Sequence, residues 1–140
     1  MKTRTFAIVA LCALGADHAA LAREPSPPGV EAYIVSPRDG AKVKGPVTVV
    51  FGLKGMGIAP AGIKLENTGH HHLLIDSDQP TDLAQPLPAN EKTVHFGKGQ
   101  TETTVTLPPG KHTLMLVLGD SLHVPHDPAV ISKKITITVQ

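Results

Sequence analysis

From Pro46 onward the chain alternates: Val47, Val49, Phe51 and Leu53 are separated by Thr48, Val50, Gly52 and Lys54, the period-2 pattern of a strand with one buried face. The alternation returns in 101–107, where Thr103, Val105 and Leu107 interleave with Glu102, Thr104 and Thr106. It returns again near the C-terminus, where Ile135, Ile137 and Val139 interleave with Lys134, Thr136 and Thr138. Two stretches break the rule. Leu73-Leu74-Ile75 and Leu114-Met115-Leu116-Val117-Leu118 are apolar at every position, so both faces of those strands must be covered and both should be central. Shorter strands are predicted at Ala32-Tyr33-Ile34-Val35 and Thr93-Val94-His95-Phe96.

Between these runs stand turn residues: Ser36-Pro37, Asp39-Gly40, Gly97-Lys98-Gly99, Pro108-Pro109-Gly110 and Gly119-Asp120. Residues 55–62 are too rich in glycine for regular structure. Residues 77–92, with Pro80, Pro86 and Pro88, exceed the usual connection length and are expected to cover a neighbouring face, with Leu83 and Leu87 as shields. About seven strands and no convincing amphipathic helix predict an all-β chain, a single antiparallel Ig-like β-sandwich. A small β-barrel is the alternative, because parity does not separate a closed sheet from two packed ones.

The ends of the chain divide it further. Met1-Lys2-Thr3-Arg4 is basic, Phe6 to Gly15 is apolar, and Ala20-Leu21-Ala22 has small residues at cleavage spacing, so residues 1–22 read as a signal peptide and the mature protein as periplasmic or secreted. Residues 23–30 form a proline-rich lead expected to tether the domain loosely, and 31–140 form the sandwich domain. No later segment has the roughly 20 apolar residues of a transmembrane helix. Cys12, the one cysteine, lies inside the signal. After cleavage there is no thiol, so a metal site must use imidazole, carboxylate, thioether or backbone groups. Losing Lys2, Arg4 and Asp17 leaves acidic and basic side chains equal in number, which argues against a nucleic-acid groove or a polybasic membrane patch.

Against this neutral background the histidines stand out. His70, His71 and His72 open the strand that continues into Leu73, with His95, His112, His123 and His126 downstream. Side chains two apart share a face, so His70 and His72, roughly 7 Å apart, point one way and His71 the other. If Leu73 and Ile75 face the core, His71 joins them and the pair faces outward; that arrangement is preferred over its reverse. His123 and His126 lie on a loop stiffened by Pro125 and Pro128, flanked by Asp120 and Asp127, which are suited to orient an imidazole through its second nitrogen. The candidate ligands are therefore His70, His72, His95, His112, His123 and His126, with Met56 as a soft thioether and Asp120, Asp127 and His71 in support. Convergence of several neutral imidazoles would suit copper or, less well, zinc. The competing reading is a hydrogen-bonded plug in which each ring satisfies loop carbonyls and amides. Catalysis has weaker support: Ser121 lacks a nucleophile-elbow context, and Glu102 and Asp76 form no carboxylate pair.

Several of these segments together resemble a known family. Phe51-Gly52-Leu53-Lys54-Gly55-Met56-Gly57, Asn67-Thr68-Gly69-His70-His71-His72-Leu73-Leu74-Ile75-Asp76, His95-Phe96-Gly97-Lys98-Gly99, Leu118-Gly119-Asp120 and His123-Val124-Pro125-His126 are similar to the bacterial exported family called domain of unknown function 4399. The resemblance implies an exported single domain whose signature includes these histidines, and it brings no activity. More loosely, the chain resembles periplasmic copper-carrier β-sandwiches. The expected function is an exported histidine-rich protein for carriage or sequestration of copper, with zinc as the alternative ion. The competing expectations are a structural or interaction module binding an envelope protein and, third, a metal-dependent oxidoreductase.

Overall fold

A computed structural model describes residues 22–140, so the expected signal segment, Ala22 apart, lies outside the described residues. The strands are β1 (Glu31–Ser36), β2 (Lys42–Val43), β3 (Val47–Lys54), β4 (Gly57–Ile58), β5 (Thr68–Ile75), β6 (Thr93–His95), β7 (Glu102–Val105), β8 (Gly110–Gly119) and β9 (Ile135–Val139). One sheet has the order β1-β3-β7, the other β2-β9-β8-β5-β4, with β6 also pairing β5. Neither closes on itself, so the protein is a β-sandwich and the barrel alternative falls. Two expectations are corrected. Among the described residues there are nine strands because β2 and β4 are two-residue pairings that carry no period-2 signal. Both pair in parallel, β2 with β9 and β4 with β5, in an otherwise antiparallel fold.

The alternation predicted from sequence sets the core. Val47, Val49 and Phe51 of β3 meet Leu73 and Ile75 of β5, Leu114 and Leu116 of β8, and Ile137 and Val139 of β9. Fully burying such a side chain is worth about 1.5–3 kcal/mol, so β5 and β8 are the best-anchored strands. They are also covered on their outer face, where Leu74, Met115 and Val117 pack with Leu87 and Ile131. Leu87 thus acts as the expected shield, whereas Leu83 is only half-buried and stands outside that cluster.

The proline-rich lead is not a loose tether. Pro25 forms a bridge to Asp127, Ser26 N–H donates to Asp127 O at 3.0 Å, and Asp127 N–H donates to Glu24 O at 2.9 Å. The proline pattern excluded a helix or central strand but not an extended strap held by backbone bonds.

The lower end of the β5–β8 pair carries a separate polar clasp. His112 Nδ1 donates to Asp76 Oδ2 at 2.7 Å, its Nε2 donates to Pro108 O at 2.8 Å, and Thr113 N–H donates to Asp76 Oδ1 at 2.9 Å. The Asp76 bond, aided by Pro108 O, raises the His112 pKa against its burial. For Asp76, burial pushes upward, but the bonds from His112 and Thr113 outweigh it and hold the carboxyl below its usual range. The clasp is therefore complete once Asp76 is ionised and while His112 stays protonated; the His112 contribution is full below pH ~6.5 and fades as pH rises through its raised pKa. Asp76→Asn should return the His112 titration toward ~6.5 in an NMR pH series; an unchanged midpoint would show that Asp76 is not its cause.

Candidate metal centre

The period of β5 sends His71 inward with Leu73 and Ile75, where its ring packs on Phe51 at a centroid distance of 5.1 Å. His70 and His72 share the outer face with Leu74, yet they are 0 % and 1 % exposed. Three neighbours bury them. Across β8, His70 faces Gly119 and His72 faces Val117; across β6, His72 faces His95. Over the top lies the loop that follows β8.

That loop folds on its own hydrogen bonds. Asp120 Oδ1 accepts from Leu122 N–H at 2.8 Å and Val124 N–H at 3.0 Å, and Asp120 N–H donates to Val124 O at 2.9 Å. His123 takes a left-handed conformation with φ 69°, which is uncommon and costs about 1 kcal/mol or more for a residue with a side chain. Leu87 N–H bonds the His123 carbonyl at 2.9 Å. The result is that His123 Nδ1 lies 3.0 Å from His70 Nε2.

Four imidazoles therefore meet. One ring nitrogen from each of His70, His72, His95 and His123 lies within 4.8 Å of the others. Four atoms so spaced all fall within roughly 3 Å of a common point. A tetrahedral ion with bonds of ~2.0–2.1 Å would hold them ~3.3 Å apart, a contraction that side-chain rotation supplies. His70 Nδ1, His72 Nδ1 and His95 Nε2 are buried without a hydrogen-bond partner. Burial, followed by the neighbouring imidazoles, lowers the pKa of His72 to about 3 and of His70 to about 4, and lowers that of His95 in the same order of causes. At neutral pH these rings are uncharged, the form that binds metal.

Two glycines make the room. A methyl on Gly119 would lie 2.9 Å from His72 Cε1 and 3.2 Å from His123 Cα; one on Gly97 would lie 2.3 Å from His95 Cε1. In the sequence both stand as turn residues; the signals for their second role are a glycine two positions from His95 and another ending the strand beside the histidine strand. Because His95 is half-buried and on an edge strand, Gly97→Ala is expected to push its ring out of the cluster at little cost to the fold. Any copper affinity that rests on His95 should then fall by more than about a hundredfold, beyond the loss typical of a supporting residue, while the melting temperature moves by a few degrees; equal affinity would mean that His95 is not a ligand.

The other candidates lie elsewhere. His126 is buried, donates through Nε2 to Thr68 O at 3.1 Å, and is not among the four. His112 belongs to the clasp at the far end of the sheet. Met56 packs with Ala32, Leu118 and Val130, as a side chain plugging the core would. Asp120 organises its own loop and Asp127 pairs with Arg23 at 3.3 Å, so neither holds an imidazole through the bonds it makes.

The protein is thus an all-β sandwich that gathers four histidines at one end of its larger sheet, His70, His72 and His95 beneath the loop that carries His123. The chain belongs to the family described as domain of unknown function (DUF4399), whose model matches residues 49–140 and so includes all four. No curated protein and no solved structure matches it.

Proposed function

We propose that this protein is an exported carrier or store for a metal ion, copper before zinc, held by His70, His72, His95 and His123. The observation that carries this reading is the convergence of four imidazoles of which three present buried, unpartnered nitrogens. Buried unpartnered nitrogens also occur at His71 Nδ1 and His126 Nδ1, outside the cluster, so it is the meeting of four rings at one point, together with those unmade bonds, that favours an ion over a plug. The bond between His70 and His123 at 3.0 Å is a plug-like feature, and a bound ion would replace it. Four nitrogen donors with no thiolate, and with Met56 packed away in an apolar cluster, favour Cu(II) over Cu(I), and Cu(II) over Zn(II) by the usual order of divalent affinities.

Competition titration of the tag-free protein with Cu(II), Cu(I) and Zn(II) tests the reading. One Cu(II) per chain with an affinity well tighter than micromolar, and a paramagnetic resonance spectrum of nitrogen ligation, is expected. Weak binding that is unchanged in a His70→Ala/His123→Ala variant would overturn it and return the histidines to a structural role in an interaction module.

A further inference from the structure

The geometry points to Arg23 as the residue that positions His123, so that the strap preceding β1 is a working part of the metal centre. This inference rests on the metal reading for its consequence but not for its geometry.

The loop from Gly119 to Pro128 has two ends to fix. Its first end continues β8 and is closed by the Asp120 bonds already described. Its second end is held to the large sheet by the bridge from Gly119 to Pro125 and by His126 Nε2 donating to Thr68 O of β5, and to the strap by the bridge from Pro25 to Asp127. Arg23 is the side chain that gathers the carbonyls of this end. Its Nε donates to Pro125 O at 3.0 Å, its terminal nitrogens donate to His126 O and lie 3.3 Å from Asp127 Oδ1, and its side chain is only 20 % exposed. A guanidinium suits this task because its donors leave one rigid plane in several directions at once. The backbone bonds between 24–26 and Asp127, together with Ser26 Oγ donating to Pro128 O at 2.7 Å, extend the same seam.

His123 sits between the two fixed ends in a conformation that its own φ of 69° disfavours. A loop released at the second end would relax that residue and withdraw its ring from His70. Arg23 thus acts through the Pro125 and His126 carbonyls on the fourth ligand. The strap lies outside the segment 49–140 matched by the family model, so a domain trimmed to that match would lack it. It also begins one residue after the expected signal cleavage site, which places the anchor at the start of the exported chain.

The test uses the exported chain with any tag at its C-terminus, as wild type, Arg23→Ala, His123→Ala and the double variant. In metal-free protein, nitrogen NMR of the imidazoles should show the proton shared by His70 and His123 in wild type and lose it in Arg23→Ala, while the circular dichroism melt shifts by a few degrees only. Copper affinity should fall about tenfold in Arg23→Ala and should not fall further when Arg23→Ala is added to His123→Ala. An unchanged His70–His123 signal, or an equal affinity loss in both backgrounds, would overturn the assignment. If wild type binds no copper, the metal reading fails by itself and the metal-free spectra still decide the role of Arg23.

Discussion

His72→Leu is expected to abolish tight copper binding while leaving the metal-free sandwich at least as stable as wild type. His72 is central to the cluster, with ring centroids 4.8 Å from His70 and 5.1 Å from His95, and it is 1 % exposed. Its ring shares a face with Leu74 and stands opposite Val117, with the rings of His70 and His95 on its other sides, so leucine, of similar volume, fills the space without adding a polar atom. The swap removes Nδ1, which has no hydrogen-bond partner. Removing an unsatisfied buried polar atom relieves about 1–3 kcal/mol, less whatever imperfect packing takes back. Metal affinity, by contrast, should drop by more than about a hundredfold, because the loss of a ligand exceeds the ten- to hundredfold loss seen for supporting residues. Urea denaturation of metal-free protein and a copper competition assay separate the two effects. A plug made of satisfied histidines would behave in the opposite way: the same swap would destabilise the domain and leave metal binding as it was.

Much of this centre was legible along the chain because it follows from the local period of a strand. The division of His70 and His72 from His71 required only that Leu73 and Ile75 face the core, and the apolar run of β8 marked it as the neighbour needing cover from Leu87. What was not legible is set by pairing over long sequence separation. His112 looked as good a ligand as His123, yet β5 and β8 run antiparallel with His70 opposite Gly119 and Ile75 opposite Leu114. His112 therefore lies beyond the last residue of β5, about seven residues or ~24 Å of strand from Gly119. A one-dimensional reading had no means to choose that direction. His95 joined the site because β6 pairs with His72 in register, a partner choice that three residues of edge strand do not encode by themselves. The strap was misread for a related reason: proline content reports what a segment's own backbone cannot do, whereas Arg23 is ordered by carbonyls about a hundred residues away.

The metal-free protein should also lose stability steeply as pH falls below ~6.5, and the slope should divide between the two faces of β5. In the unfolded chain each imidazole takes up a proton near pH 6.5. In the folded protein burial holds His70 and His71 neutral down to about 4 and His72 to about 3. Over that window the unfolded state binds more protons, so stability is complete above the unfolded pKa and is lost as pH falls toward the folded values. Each group contributes about 1.4 kcal/mol per pH unit, and the three together roughly 4 kcal/mol per pH unit. Against a typical domain stability of about 5–15 kcal/mol, that is a large share of the total lost within a few pH units. The His112–Asp76 clasp does not produce this limb, because its histidine contribution is full below pH ~6.5 and its carboxylate contribution fades only below ~3.8. His71→Leu, which alters the core face alone, should reduce the slope, to which His95 also contributes through its lowered pKa, and leave copper affinity within about threefold of wild type. Copper-loaded protein should be more stable at pH 6.5 and converge on the metal-free curve as protons displace the ion from His70 and His72. Denaturant melts at half-unit pH intervals would show these slopes; stability constant from pH 6.5 to 4.5 would mean that the three rings are not held neutral by burial.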